Sequence, residues 1–84
     1  MLKITHENFL IALRMKLAFV SVEMLTPTEN LFEGRPIRLK LTSQIAPKMG
    51  FTRNYSNSSG PNRLREILDE VVHDFDYFRR RKDD

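Results

Sequence analysis

Leu13-Arg14-Met15-Lys16-Leu17-Ala18-Phe19-Val20-Ser21-Val22-Glu23-Met24-Leu25 is the stretch whose reading decides the fold of this 84-residue chain. As part of a helix over residues 5–25 it is poor. Arg14 and Ser21 fall on one side and Lys16 and Glu23 on the other, so no polar stripe forms. A helix that is apolar nearly all round must be buried on every side, and so short a chain hardly provides that much interior. Read as a strand, Leu13, Met15, Leu17 and Phe19 alternate with Arg14, Lys16 and Ala18. The alternation then slips by one: Val20, Val22 and Met24 are apolar, Ser21 and Glu23 polar. One extra residue in a strand exchanges its two faces, as a β-bulge does. Phe19-Val20-Ser21-Val22 is also rich in strand formers. This predicts a bent strand over residues 14–25, preceded by a short helical turn capped by Thr5. The competing layout is an N-terminal helix, a hairpin and a C-terminal helix.

Downstream, Ile37, Leu39 and Leu41 alternate with Arg38, Lys40 and Thr42, bounded by Gly34-Arg35-Pro36 and by Pro47, which predicts a second strand. The connection over residues 26–35 carries Pro27 and Gly34 and reads as a long hairpin loop. Leu31 and Phe32 inside it are expected to fold back onto the core. Residues 43–60 are polar and irregular and read as a flexible loop, with residues 51–55 as the place for a short third strand if there is one. The C-terminal pattern is the clearest. Leu64, Ile67, Leu68, Val71, Phe75 and Phe78 recur at helical spacing, flanked by Val72, opposite Glu66, Asp69, Glu70, His73 and Asp76. Pro61 suits the first turn, and Ser58 or Ser59 supplies a capping oxygen. A helix over residues 62–81 follows. It ends on Arg79, Arg80, Arg81 and Lys82, where the macrodipole favours positive charge, and residues 79–84 form a charged tail. The expected fold is α+β: one small domain over residues 1–84, with a two- to three-stranded antiparallel sheet and a C-terminal amphipathic helix packed on one face.

Composition bounds the function. Apolar residues make up 40% of the chain, enough for one small core. With no Cys there is no disulfide scaffold, thiolate zinc site or cysteine nucleophile. No apolar run approaches the roughly 18–20 residues of a membrane span, and Glu7, Arg14 and Lys16 break up any signal-peptide core. A cytoplasmic protein without membrane association is expected. No phosphate-binding Gly loop, nucleophile elbow or Cys/His pair is present, so neither an enzyme nor a cofactor is expected. Asp69, His73 and Asp76 share a helix face at metal-ligand spacing, a pattern that acidic solvent faces also produce. The sequons Asn54-Tyr55-Ser56 and Asn57-Ser58-Ser59 are read as accidental in a chain with no secretory signal.

The formal charge of +3 conceals a strong asymmetry. Residues 34–65 hold seven cations, Arg35, Arg38, Lys40, Lys48, Arg53, Arg63 and Arg65, and no acid. Phe51 and Tyr55 are interleaved with them. Cations for phosphates beside aromatics for bases compose a single-stranded nucleic-acid surface. The nine residues are therefore the candidate nucleic-acid-binding set. Arg38 and Lys40 share the outward face of their strand, with the following loop able to close over it. Ser58, Ser59, Arg63 and Arg65 gather at a helix N-terminus, where free backbone N–H groups attract anions. The rival reading is a protein-interaction module, such as a small inhibitor or regulator from a mobile element. It would use the acidic helix face or apolar surface left over by Phe9, Leu10, Ile11, Leu31 and Phe32, which also makes a homodimer possible.

One segment carries a resemblance. Arg63-Leu64-Arg65-Glu66-Ile67-Leu68-Asp69-Glu70, continuing to Asp76 and Phe78, is similar to the C-terminal helix of the DNA-damage-inducible protein I family, and Ile37-Arg38-Leu39 is similar to one of its strands. The resemblance implies a small α+β protein that modulates a recombinase filament. It spans under a third of the chain. The N-terminus offers no matching first strand and helix, and the helix ends in a basic cluster where the family has an acidic end.

Overall fold

The computed structural model describes residues 4–58 and 60–83. Its elements run α1 (Phe9–Lys16), β1 (Val20–Met24), α2 (Glu29–Glu33), β2 (Ile37–Ser43), β3 (Gly50–Tyr55) and α3 (Arg63–Asp83). The strands form one antiparallel sheet in the order β1-β2-β3. The long C-terminal helix packs on one face of it, so the chain is a small α+β domain. The central strand organises the core: Ile37, Leu39 and Leu41 are fully buried while Arg38 and Lys40 between them are exposed. Such alternation marks a sheet with one face in water. Val20 and Val22 extend the buried face on β1, and Ile67, Leu68, Val71 and Phe75 cover it from α3. Leu64 and Val72 pack at the margin of this stripe.

The N-terminal half of the predicted bent strand is corrected. Residues 9–16 are helical, and the strand occupies only Val20–Met24. The burial period is four: Phe9, Leu13 and Leu17 enter the core, whereas Met15 and Phe19, which completed the alternation, are 75% and 65% exposed. The helix therefore does not bury its whole circumference; it leaves apolar residues in water. The phase slip that resembled a bulge is a helix-to-strand junction. Leu17 N–H closes the last turn on Leu13 O, and Phe19 reverses the chain with φ 61°. That left-handed conformation is costly for a bulky side chain. Thr5 does not cap the helix; its N–H donates to Asn8 Oδ1 at 2.9 Å, and Asn8 takes the N-cap position.

Between β1 and β2 the chain makes one helical turn, α2, and Gly34 leaves it in the left-handed region at φ 73°. Leu31 folds into the core as expected, but Phe32 does not: it stays largely exposed with its ring against His6. Within residues 43–60 the strand alternative is realised as β3. Ser43 Oγ shapes the turn before it, accepting from the N–H groups of Ile45 and Ala46. The bonds Leu25 N–H to Arg38 O, Gln44 N–H to Phe19 O and Ser43 N–H to Met49 O set the pattern of both ladders. Residues 38, 40 and 42 bond to β1 and residues 37, 39, 41 and 43 to β3. The outer edge of β1 is partly capped, because the Arg14 guanidinium donates to Val22 O at 3.2 Å. At the outer edge of β3, the backbone groups of Thr52 and Asn54 point away from the sheet. No helix among the described residues is long and apolar enough to cross a membrane.

Gly50 sits opposite Thr42 where the two strands approach most closely. A Cβ there would lie 2.4 Å from Leu41 O and 3.1 Å from Thr42 Cα, both backbone atoms. Gly50→Ala is expected to cost about 2 kcal/mol of folding free energy by overpacking. Urea denaturation measures it; a midpoint equal to that of the native chain would contradict the strand register.

Candidate nucleic-acid interface

The strand register sorts the candidate residues onto two faces. Arg38 and Lys40 share the exposed face of the sheet with Ser21, Glu23, Thr42, Thr52 and Asn54. Lys48, in the turn before β3, joins Lys40 around a shallow depression floored by Thr42, Pro47 and Thr52. Phe51, Arg53 and Tyr55 alternate with Thr52 and Asn54 and therefore point toward α3. The expected stacking aromatics thus belong to the interior. Tyr55 is fully buried, and Phe51 packs on Phe75 and Phe78 with ring centroids 6.0 and 5.2 Å apart. The loop does not close over Arg38 and Lys40; it enters the sheet as β3.

The cations on the helix side are held by α3's own carboxylates. Arg53 Nη1 lies 3.1 Å from Asp74 Oδ2, and its guanidinium sits 5.8 Å from the Tyr55 ring centroid. Arg63 donates to Ser56 O and approaches Glu70 at 4.0 Å, which ties the loop after β3 down to the helix. Arg35 pairs with Glu33 at 3.5 Å. Arg65 lies elsewhere, beside α1, with Leu68 and Lys16. The expected cluster at the α3 N-terminus is therefore not assembled: Arg63 turns back, Arg65 faces α1, and Ser59 falls outside the described residues. Ser58 stands five residues before Arg63, the first residue of the helix. Arg38, Lys40 and Lys48 have no ion pair among the described residues. Glu23 stands opposite Lys40 in register without pairing with it.

Two surfaces escaped the sequence reading. A depression between β3 and α3 is lined by Phe51, Arg53, Asp74, Tyr77, Phe78 and Arg81. Tyr77 is exposed there, with the Arg81 guanidinium 5.9 Å from its ring centroid. Their i, i+4 spacing was the available signal. The other surface is a groove of about 280 Å³ between α1 and α3, walled by Ile4, Ile11, Ala12, Met15 and Leu68 with Lys16 and Arg65 at its rim. Of the five residues expected as leftover apolar surface, Phe9 and Leu31 are core, Leu10 is half-buried, and Ile11 and Phe32 are exposed. Among the described residues no three His, Asp or Glu gather to hold a metal ion, so Asp69, His73 and Asp76 do not form such a group. The tail residue Arg79 pairs with Asp76 at 3.0 Å, while Asp84 lies outside the described residues. Comparison of the chain with protein-family models, with curated proteins and with solved structures gave no match.

The fold perturbs the titration of Tyr55. Burial, reinforced by the nearby Asp74 carboxylate, raises its pKa well above the ordinary 10.0. In the unfolded chain this phenol ionises near pH 10, while in the folded protein it keeps its proton. Its contribution is therefore intact below pH 10 and erodes as the pH climbs toward the folded-state value. Stability is expected to fall by about 1.4 kcal/mol per pH unit above pH 10 from this residue. Tyr55→Phe should flatten that slope in urea titrations; an unchanged slope would mean that the hydroxyl is hydrated.

Proposed function

We propose that the chain is a non-enzymatic binding module that contacts the phosphate backbone of nucleic acid through the outer face of its sheet. The observation that carries this reading is the division of the basic segment. Arg53 and Arg63 are neutralised against α3, whereas Arg38, Lys40 and Lys48 stand free on a sheet face with no covering layer. Arg38 and Lys40 are two residues apart on one strand, hence about 6.7 Å along it, and Arg35, paired with Glu33, precedes the strand. Thr42, Thr52 and Asn54 around them offer neutral hydrogen-bonding groups that suit phosphate and sugar oxygens. Tyr55 is in the core and the half-buried Phe51 points to the α3 side, so base stacking is no part of this surface. Binding through it is electrostatic and sequence-tolerant.

A small number of phosphate contacts implies weak binding with a shallow salt dependence. For three to four contacts, log K against log salt concentration is expected to fall with a slope of about −2 to −3.5, measured by fluorescence anisotropy on a labelled mixed oligonucleotide. The double variant Arg38→Ala/Lys40→Ala should reduce the slope by about 2, whereas Arg53→Ala should leave it unchanged. Absence of binding at ~50 mM salt, or a double variant that binds like the native chain, would overturn the proposal.

A further inference from the structure

The short helix α1 presents an apolar stripe to solvent. Ile11 and Met15, one turn apart, are 56% and 75% exposed beside the groove that separates α1 from α3. Single exposed apolar residues are ordinary, but an aligned pair opening onto an apolar groove is a contact surface. Charge and size along α1 are arranged so that the surface complements itself. Lys16 closes the C-terminal end, and Glu7 stands exposed just before the N-terminal end. Neither has an ion pair among the described residues. Between them, small Ala12 and Asn8 line the same groove as Ile11 and Met15.

We propose that a second copy of the chain covers this face, with the two α1 helices packed antiparallel about a two-fold axis near Ile11 and Ala12. In that register Ile11 of one copy meets Ala12 of the other and Met15 meets Asn8, so each large side chain faces a small one. Lys16 meets Glu7 twice, once at each end, as an isologous contact requires. The antiparallel arrangement also places the negative C-terminal end of each helix dipole against the positive N-terminal end of its neighbour. The choice of a second copy over an acidic helix from another protein rests on Glu7: the chain itself carries the acid that its rim lysine needs. A contact centred on two helical turns is small, which places the dimer in the weak, concentration-dependent class.

Sedimentation velocity on the full chain, from ~5 to ~500 µM, tests the proposal. The expected result is a reversible monomer–dimer equilibrium that Met15→Glu shifts at least tenfold toward monomer, with an unchanged circular dichroism spectrum. Glu7→Lys and Lys16→Glu should each weaken the dimer, and the two together should restore it. All three positions are exposed, so loss of folding does not confound the reading. A monomer throughout the range, which would leave the face to a different protein, overturns the proposal. A dimer indifferent to Met15→Glu also overturns it, and a double variant without rescue overturns the antiparallel register.

Discussion

Ile37, Leu39 and Leu41 on the central strand are the contact from which the rest of the structure follows. A three-stranded sheet has a single middle strand, and here its inward side chains are wholly excluded from water while Arg38 and Lys40 between them are exposed. With 84 residues there is material for one helical layer, not two. The sheet is therefore covered on one side by α1 and α3 and left bare on the other. Every polar residue on the bare side, from Ser21 to Asn54, is placed there by the two-residue period of its strand. The exposed basic row is thus a consequence of how the core is closed.

The same constraint divides the acid-free segment. Because β3 is paired in register with β2, its odd-numbered residues inherit the inward face. Arg53 lies at the rim of that face with its side chain more than half exposed, where it meets a counter-charge. Asp74 supplies it, and Glu70, one turn earlier on α3, does the same for Arg63. Each pair is partly exposed and worth no more than ~1 kcal/mol. Together they set the seam between β3 and α3 and give two of the seven cations a counter-charge within the fold.

The legible parts of the fold were those with a single consistent period. The stripe from Leu64 to Phe78 and the alternation of Ile37, Leu39 and Leu41 each identify an element without reference to anything else. The N-terminal stretch failed because two periods coexist in it. Leu13 and Leu17 satisfy both a helix and a strand; only the exposure of Met15 and Phe19 separates them, and exposure is a property of the assembled molecule. The site failed in a related way. Lys48, Phe51, Arg53 and Tyr55 are close in sequence, but the last three share the inward face of β3 while Lys48, in the turn before it, stands beside Lys40. Phe51 and Tyr55 carry no local mark that distinguishes a stacking aromatic from a core one. The pairing of Arg53 with Asp74 spans 21 residues, beyond any local pattern.

The bare sheet face and the apolar face of α1 lie on different layers, so an occupant of one does not displace an occupant of the other. A dimer joined through the helical layer would carry its two basic rows outward, on separated surfaces. A short oligonucleotide then reaches only one row, and its affinity is indifferent to dimerisation. A long or folded polyanion that reaches both gains from the second contact as an intramolecular event, at an effective concentration set by the spacing. Dependence of affinity on nucleic-acid length, present in the native chain and lost when α1 is made polar at Met15, is therefore the signature that would join the two surfaces into one device. Length dependence that survives such a change would instead belong to successive monomers on one strand.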